Sequence, residues 1–266
     1  TAMIWGKVGY MNNEGTGNNF YLGFDNPSVG DTRVILTTFG TTWTLGPSTV
    51  LDGNFGMSRQ DQTVLPADYG TNYGLNLGIP GTNSANNPRE SGLPVMASTY
   101  TLNSGSASWM PLWRKEISYS GTLALTKVFV KHEMRTGFDF VRTELNHDQA
   151  EWGDYGLKGG FSFSGNTTGA VGYTSPGWNS FAAMLMGLPN YYAEDTQTET
   201  MTGRENQFAF YIRDRWTVSP KLTVSAGARL DYYPLMSRVG RGIETLDYNT
   251  YVVTLGGIGG QPKDAG

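Results

Sequence analysis

Between Gln207 and Tyr233 apolar and polar side chains alternate over two long arms joined by a short turn. On the first arm Phe208, Phe210, Ile212, Trp216 and Val218 share one parity, and Gln207, Arg213 and Arg215 share the other. After Ser219, Pro220 and Lys221, the residues Leu222, Val224, Ala226, Ala228, Leu230 and Tyr232 alternate with Thr223, Ser225, Gly227, Arg229 and Asp231. Side chains of a strand alternate between its faces with period two, so this is a hairpin with one apolar and one polar face. Such a hairpin suits the face of a sandwich or the wall of a barrel. Asp214 alone breaks the apolar parity.

Two further hairpins repeat the pattern. In one, Ile35, Phe39 and Trp43 lead through a turn to Leu51, Phe55 and Met57, which alternate with Asp52, Asn54 and Ser58. In the other, Ile117, Tyr119, Leu123 and Leu125 lead to Met134, Phe138 and Phe140, which alternate with Glu133, Arg135 and Asp139. Residues 2–11 read as one more strand, residues 156–165 and 190–200 as weaker ones, and residues 178–189 as a short helix or an apolar plug of loop. The arms run roughly 10 to 14 residues, whereas strands of globular sheets are mostly about 5 to 6. A strand tilted by ~45° crosses a bilayer in about 9–11 residues. Short turns at one end, with the long connections 60–112 and 146–205 at the other, are the asymmetry of an outer-membrane barrel. The fold class expected is all-β: a partial transmembrane antiparallel β-barrel of about 7–9 meandering strands.

Composition agrees with this reading. Of the 266 residues 36 are Gly, 13% are aromatic and only 16% are charged, a balance that favours strands and loops over helices. The absence of Cys removes disulfides, thiolate metal sites and a cysteine nucleophile. A formal charge of −4 gives no footprint for nucleic acid. His132 and His147 stand without the nucleophile and orienting acid that hydrolytic chemistry needs, so no enzyme activity and no cofactor are expected.

The segment 207–233, QFAFYIRDRWTVSPKLTVSAGARLDYY, resembles a recurrent hairpin of TonB-dependent outer-membrane transporters. TKVFVKHEMRTGFDFVRTE (126–144) is similar to the preceding hairpin of that family. GGFSFSG, FAAMLMGLP, GIPGTN and ESGLPVMASTYTLNSG resemble segments of its Oar-like branch. The resemblance implies that residues 1–266 are one segment, the N-terminal part of a barrel of 22 strands, with the plug, the TonB box and the C-terminal strands outside it. It implies uptake of a solute across the bacterial outer membrane. The partners would be outer-membrane lipid, the plug of the same protein and, through that plug, the TonB–ExbB–ExbD complex. Alone, the segment would transport nothing, and its two open edges predict aggregation. The rival readings are a passive porin or adhesin-like barrel and a soluble carbohydrate-binding β-sandwich.

Under the barrel reading Arg135, Asp139, Arg213, Arg215, Arg229 and Asp231 face the lumen, with Lys7, Asp52 and Asn54, and pair among themselves or with the plug. Trp5, Trp43, Trp216, Tyr232 and Tyr233 fit interfacial girdles. The loop aromatics Tyr69, Tyr73, Trp109, Trp113, Trp152 and Tyr155 could stack on a sugar or peptide, or pack on one another. Asp148, Glu151 and Asp154 could offer oxygen ligands to Ca²⁺, although their spacing is not that of an EF-hand and a solvated acidic loop is the plainer reading.

Overall fold

The computed structural model describes the chain except residues 18–26, 100–103, 151–154, 171, 173–175, 198–199, 241, 243, 258–260 and 263–266. Among the described residues twelve strands follow one another: β1 (Ala2–Thr16), β2 (Ser28–Gly46), β3 (Thr49–Pro66), β4 (Val95–Ser98), β5 (Leu112–Phe129), β6 (His132–Gln149), β7 (Gly160–Phe163), β8 (Tyr191–Ala193), β9 (Met201–Ser219), β10 (Leu222–Tyr232), β11 (Glu244–Asp247) and β12 (Val252–Leu255). The helices are α1 (Tyr73–Asn76) and α2 (Pro176–Leu185).

Seven of these strands form one sheet in the order β1-β2-β3-β5-β6-β9-β10. Every neighbouring pair is antiparallel, and apart from the small connection strands each long strand pairs with the next along the chain. The hairpins β2–β3, β5–β6 and β9–β10 all turn within a few residues at one end. At the β5–β6 turn only Val130 and Lys131 lie between the strands, so residues 127–129 continue β5 rather than belonging to the turn.

Opposed residues share a face, so the register sorts the side chains. Trp43, Leu51, Leu125 and Thr136 fall on one face, as do Phe39, Phe55, Gly121 and Phe140. Phe138 meets Phe210 across β6 and β9, with ring centroids 4.9 Å apart, and Phe140 lies 5.4 Å from Phe208. Ala228, opposite Ile212, and Leu230, opposite Phe210, continue this face onto β10. Asp52, Arg135, Asp139, Arg213, Arg215, Arg229 and Asp231 occupy the opposite, polar face.

The strands outrun their alternating segments. β2 and β9 have 19 residues each, and β3, β5 and β6 have 18. Beyond the apolar half both faces are polar, so no alternation of hydrophobicity marks the extension. Trp113 and Asp148, expected in loops, therefore stand opposite each other on β5 and β6.

Trp5, expected in a girdle though its parity is opposite to that of Ile4, Val8 and Tyr10, sits on the polar face. Its indole lies over Gly40, where a Cβ would come within 2.2 Å of the ring. The bare glycine backbone makes the platform that this large side chain needs. Gly137 and Tyr211 repeat the arrangement, with 2.4 Å between an added Cβ and the ring.

Asp214, the misfit on the aromatic face, has a partner. His132 faces Trp216 across the β6–β9 ladder, and its Nδ1 lies 2.7 Å from Asp214 Oδ2. The imidazole stacks on Trp216 at 5.6 Å and on Phe129 at 5.5 Å. One partner without the other leaves a half-buried polar group short of a hydrogen bond, which costs about 1–3 kcal/mol. His132→Leu is therefore expected to destabilise the sheet by that amount, and His132→Leu/Asp214→Leu to recover most of it. Denaturant unfolding of the membrane-inserted protein as a double-mutant cycle checks this; additive losses would contradict the pairing.

Candidate functional site

The polar face is a chain of paired charges. Asp52 accepts from Thr42 Oγ1 at 3.0 Å and from Arg135 Nη1 at 3.5 Å, and Arg135 also donates to Thr126 Oγ1 at 3.1 Å. Arg229 donates to Asp139 Oδ2 at 2.8 Å and to Asp231 Oδ1 at 2.9 Å, with its guanidinium 5.7 Å from the centroid of Tyr211. Arg213 reaches Glu133 at 3.8 Å, and Arg215 stands opposite Glu133 in the register. The six residues expected to line a lumen thus share one face. Each half-exposed pair contributes little alone, roughly 0–1 kcal/mol, but the set places carboxylates beside most of the cations of this face.

The aromatic face has the dimensions of a hydrocarbon belt. From Ile35 to Trp43, from Phe208 to Trp216 and from Val224 to Tyr232 the apolar run spans about nine residues, the length that crosses a bilayer at a tilt of ~45°. Phe39 is 58% exposed and Leu230 69%, so this belt has no protein core against it. Trp43, Trp216 and Tyr232 stand at its edges on this face, where amphipathic rings anchor to an interface. Tyr233 lies one residue past β10.

Most of the buried apolar side chains lie elsewhere, where the long connections fold. Strands β4, β7 and β8 form a small sheet in that order, parallel between β4 and β7 and antiparallel between β7 and β8, with α2 packed on it. Val95, Leu157, Phe163 and Ala183 are buried in this cap, with Met110 and Tyr155. Arg89 ties the two connections together: it pairs with Asp148 at the end of β6 and donates to the Gln197 carbonyl at 3.1 Å.

The candidate aromatics divide accordingly. Tyr155 is buried and lies 6.1 Å from Tyr191, so it serves the cap core. Tyr69 meets Trp113 edge-on at 5.8 Å. Tyr73 and Trp109 remain exposed, and Trp152 lies outside the described residues, as do Glu151 and Asp154. Asp148 is held by Arg89, and among the described residues no three His, Asp or Glu side chains gather as a metal site.

Lys158, not singled out in the sequence, is 2% exposed at the centre of the cap. It donates to Ser106 Oγ at 2.6 Å and to the Ala107 carbonyl at 3.3 Å. Burial pulls its ammonium down to about 8, against the opposing pull of the Asp68 carboxylate. Nearby Tyr192 is pushed up to about 12, first by burial and then by its bond to Glu194 at 2.6 Å. For Lys158 the unfolded value is about 10.4. Between those two pH values the opened cap binds a proton that the closed cap does not, so cap stability rises with pH there and is flat and lower below about 8. Amide exchange of β4 and β7, corrected for intrinsic rate, should slow from pH 8 to 10, and Lys158→Met should abolish the dependence. An unchanged slope in that variant would contradict the assignment.

The belt, the polar face of mixed charge and the one-sided cap agree with the comparison to known families. The family described as Outer membrane beta barrel domain matches residues 2–266. No curated protein and no solved structure matches the chain. The match takes in the whole seven-stranded sheet and the cap together, and this chain therefore belongs to the outer membrane beta barrel domain family, a bacterial outer-membrane protein whose apolar belt meets lipid.

Proposed function

We propose that the chain is the wall and outer cap of a TonB-dependent receptor that takes up a solute across the outer membrane. The observation that carries this reading is the cap: both long connections fold into one body with its own sheet, helix and buried core. Capturing a scarce solute calls for ordered loops, whereas loops that only fill space need no core. The hairpin resemblance of residues 126–144 and 207–233 supports the same class. The paired charges of the polar face suit a wall that contacts a polar plug, with Arg135, Arg213, Arg215 and Arg229 as its cations and Asp52, Glu133, Asp139 and Asp231 as the carboxylates among them. Tyr73 and Trp109 are the exposed cap rings that would stack on the solute. The reading assigns the chain no catalytic step.

Uptake by the full-length protein in cells should stop when a protonophore collapses the proton motive force, while binding at the cell surface persists. Tyr73→Ala/Trp109→Ala should weaken surface binding roughly tenfold, at about 1 kcal/mol or a little less per ring. Uptake that continues without the proton motive force would identify a passive barrel instead.

A further inference from the structure

The aromatic face does not become neutral where its apolar belt ends. On four adjacent strands, β2, β3, β5 and β6, the first residue of that face beyond the belt is a cation: Arg33 after Ile35, Arg59 after Met57, Lys115 after Ile117 and Arg142 after Phe140. Each arginine of this row has a carboxylate two residues further from the belt. Arg33 binds Asp31 at 2.7 Å, Arg59 binds Asp61 at 2.6 Å and Arg142 binds Glu144 at 2.7 Å. The polarity is the same on all three strands, guanidinium towards the belt and carboxylate away from it. On the polar face Arg114 and Glu116 of β5 form a pair with the opposite order.

A carboxylate bonded to one edge of a guanidinium orients it and leaves further N–H donors free. Arg59 uses Nε and Nη2 on Asp61, so both Nη1 protons remain, and its side chain is 39% exposed. The Arg33 side chain is 57% exposed and that of Arg142 is 40%. Beside the row, a cleft of about 260 Å³ opens between Asp61, Trp113, Lys115, Asn146 and Asp148. The row is continuous with a surface that meets lipid, and it stands at the end that carries the cap.

We propose that Arg33, Arg59, Lys115 and Arg142 form a binding surface for anionic phosphorylated lipid headgroups of the outer leaflet, with the headgroup beside Lys115 seated in the cleft. Guanidinium groups match phosphate geometry through paired N–H donors, and the belt beneath holds the acyl chains. The distal carboxylates orient the arginines and limit the net charge of the row.

Native mass spectrometry of the full-length protein in detergent, with added phosphatidylglycerol or phosphatidylcholine, tests this. The protein should retain phosphatidylglycerol in preference to phosphatidylcholine, and excess inorganic phosphate should not displace it. At roughly fivefold per cation near an anionic surface, Arg33→Gln/Arg59→Gln/Arg142→Gln should lose on the order of a hundredfold in retention. Asp31→Asn/Asp61→Asn/Glu144→Gln should gain retention, and this variant decides the matter if the first does not assemble. Equal retention of the two lipids, or displacement by inorganic phosphate, would overturn the proposal. So would unchanged retention in the glutamine variant, or no gain in the carboxylate variant.

Discussion

The unbroken ladder of backbone hydrogen bonds from β1 to β10 is the constraint on which the rest of the structure depends. In hydrocarbon an unpaired N–H or C=O costs several kcal/mol, so a strand can cross only if both its neighbours satisfy it. Once the ladder is fixed, register is no longer free, because a slip of one residue would send Phe210 to the polar face and Arg213 to the lipid. The aromatic pairs across β6 and β9 and the arginine–carboxylate pairs across β3, β5, β6 and β10 both belong to that one register. The His132–Asp214 pair shows the same logic at the belt's edge, where a polar residue on the lipid side is tolerated because its neighbour on the ladder answers it.

The membrane half of the sheet was legible because alternating hydrophobicity is a signal of period two, and it persists over the whole belt. The three hairpins and the N-terminal strand lie where the periodicity puts them, and the helix overlaps the apolar segment that Gly187 and Pro189 close. The outer half was not legible by that signal, since polar residues on both faces leave nothing to alternate. A different one was present: Asp31-Thr32-Arg33, Arg59-Gln60-Asp61, Arg114-Lys115-Glu116 and Arg142-Thr143-Glu144 each place opposite charges two residues apart. On a strand such residues share a face, and each of these pairs is formed.

The cap illustrates what a single sequence hides. Residues 156–165 and 190–200 were readable as weak strands, but the pairing of β7 with β4 is a contact between distant connections. Lys158 carries no local mark of burial, since its place is set by Ser106 and the Ala107 carbonyl some fifty positions away. Trp5 likewise has a girdle's composition but a polar-face parity, and only its platform on Gly40 explains a tryptophan there. For both residues the partner across the ladder or the loop decided the place.

The central claim is that one face of the seven-stranded sheet meets lipid and the other meets water or polar protein. Single spin labels placed in turn at positions 207 to 213 of β9, in the full-length protein in bilayers, test it through their accessibility to oxygen and to a water-soluble nickel chelate. The account predicts a period of two: high oxygen accessibility at 208, 210 and 212, and low oxygen accessibility at 207, 209, 211 and 213. Uniform accessibility along the strand, or oxygen maxima at the odd positions, would contradict it.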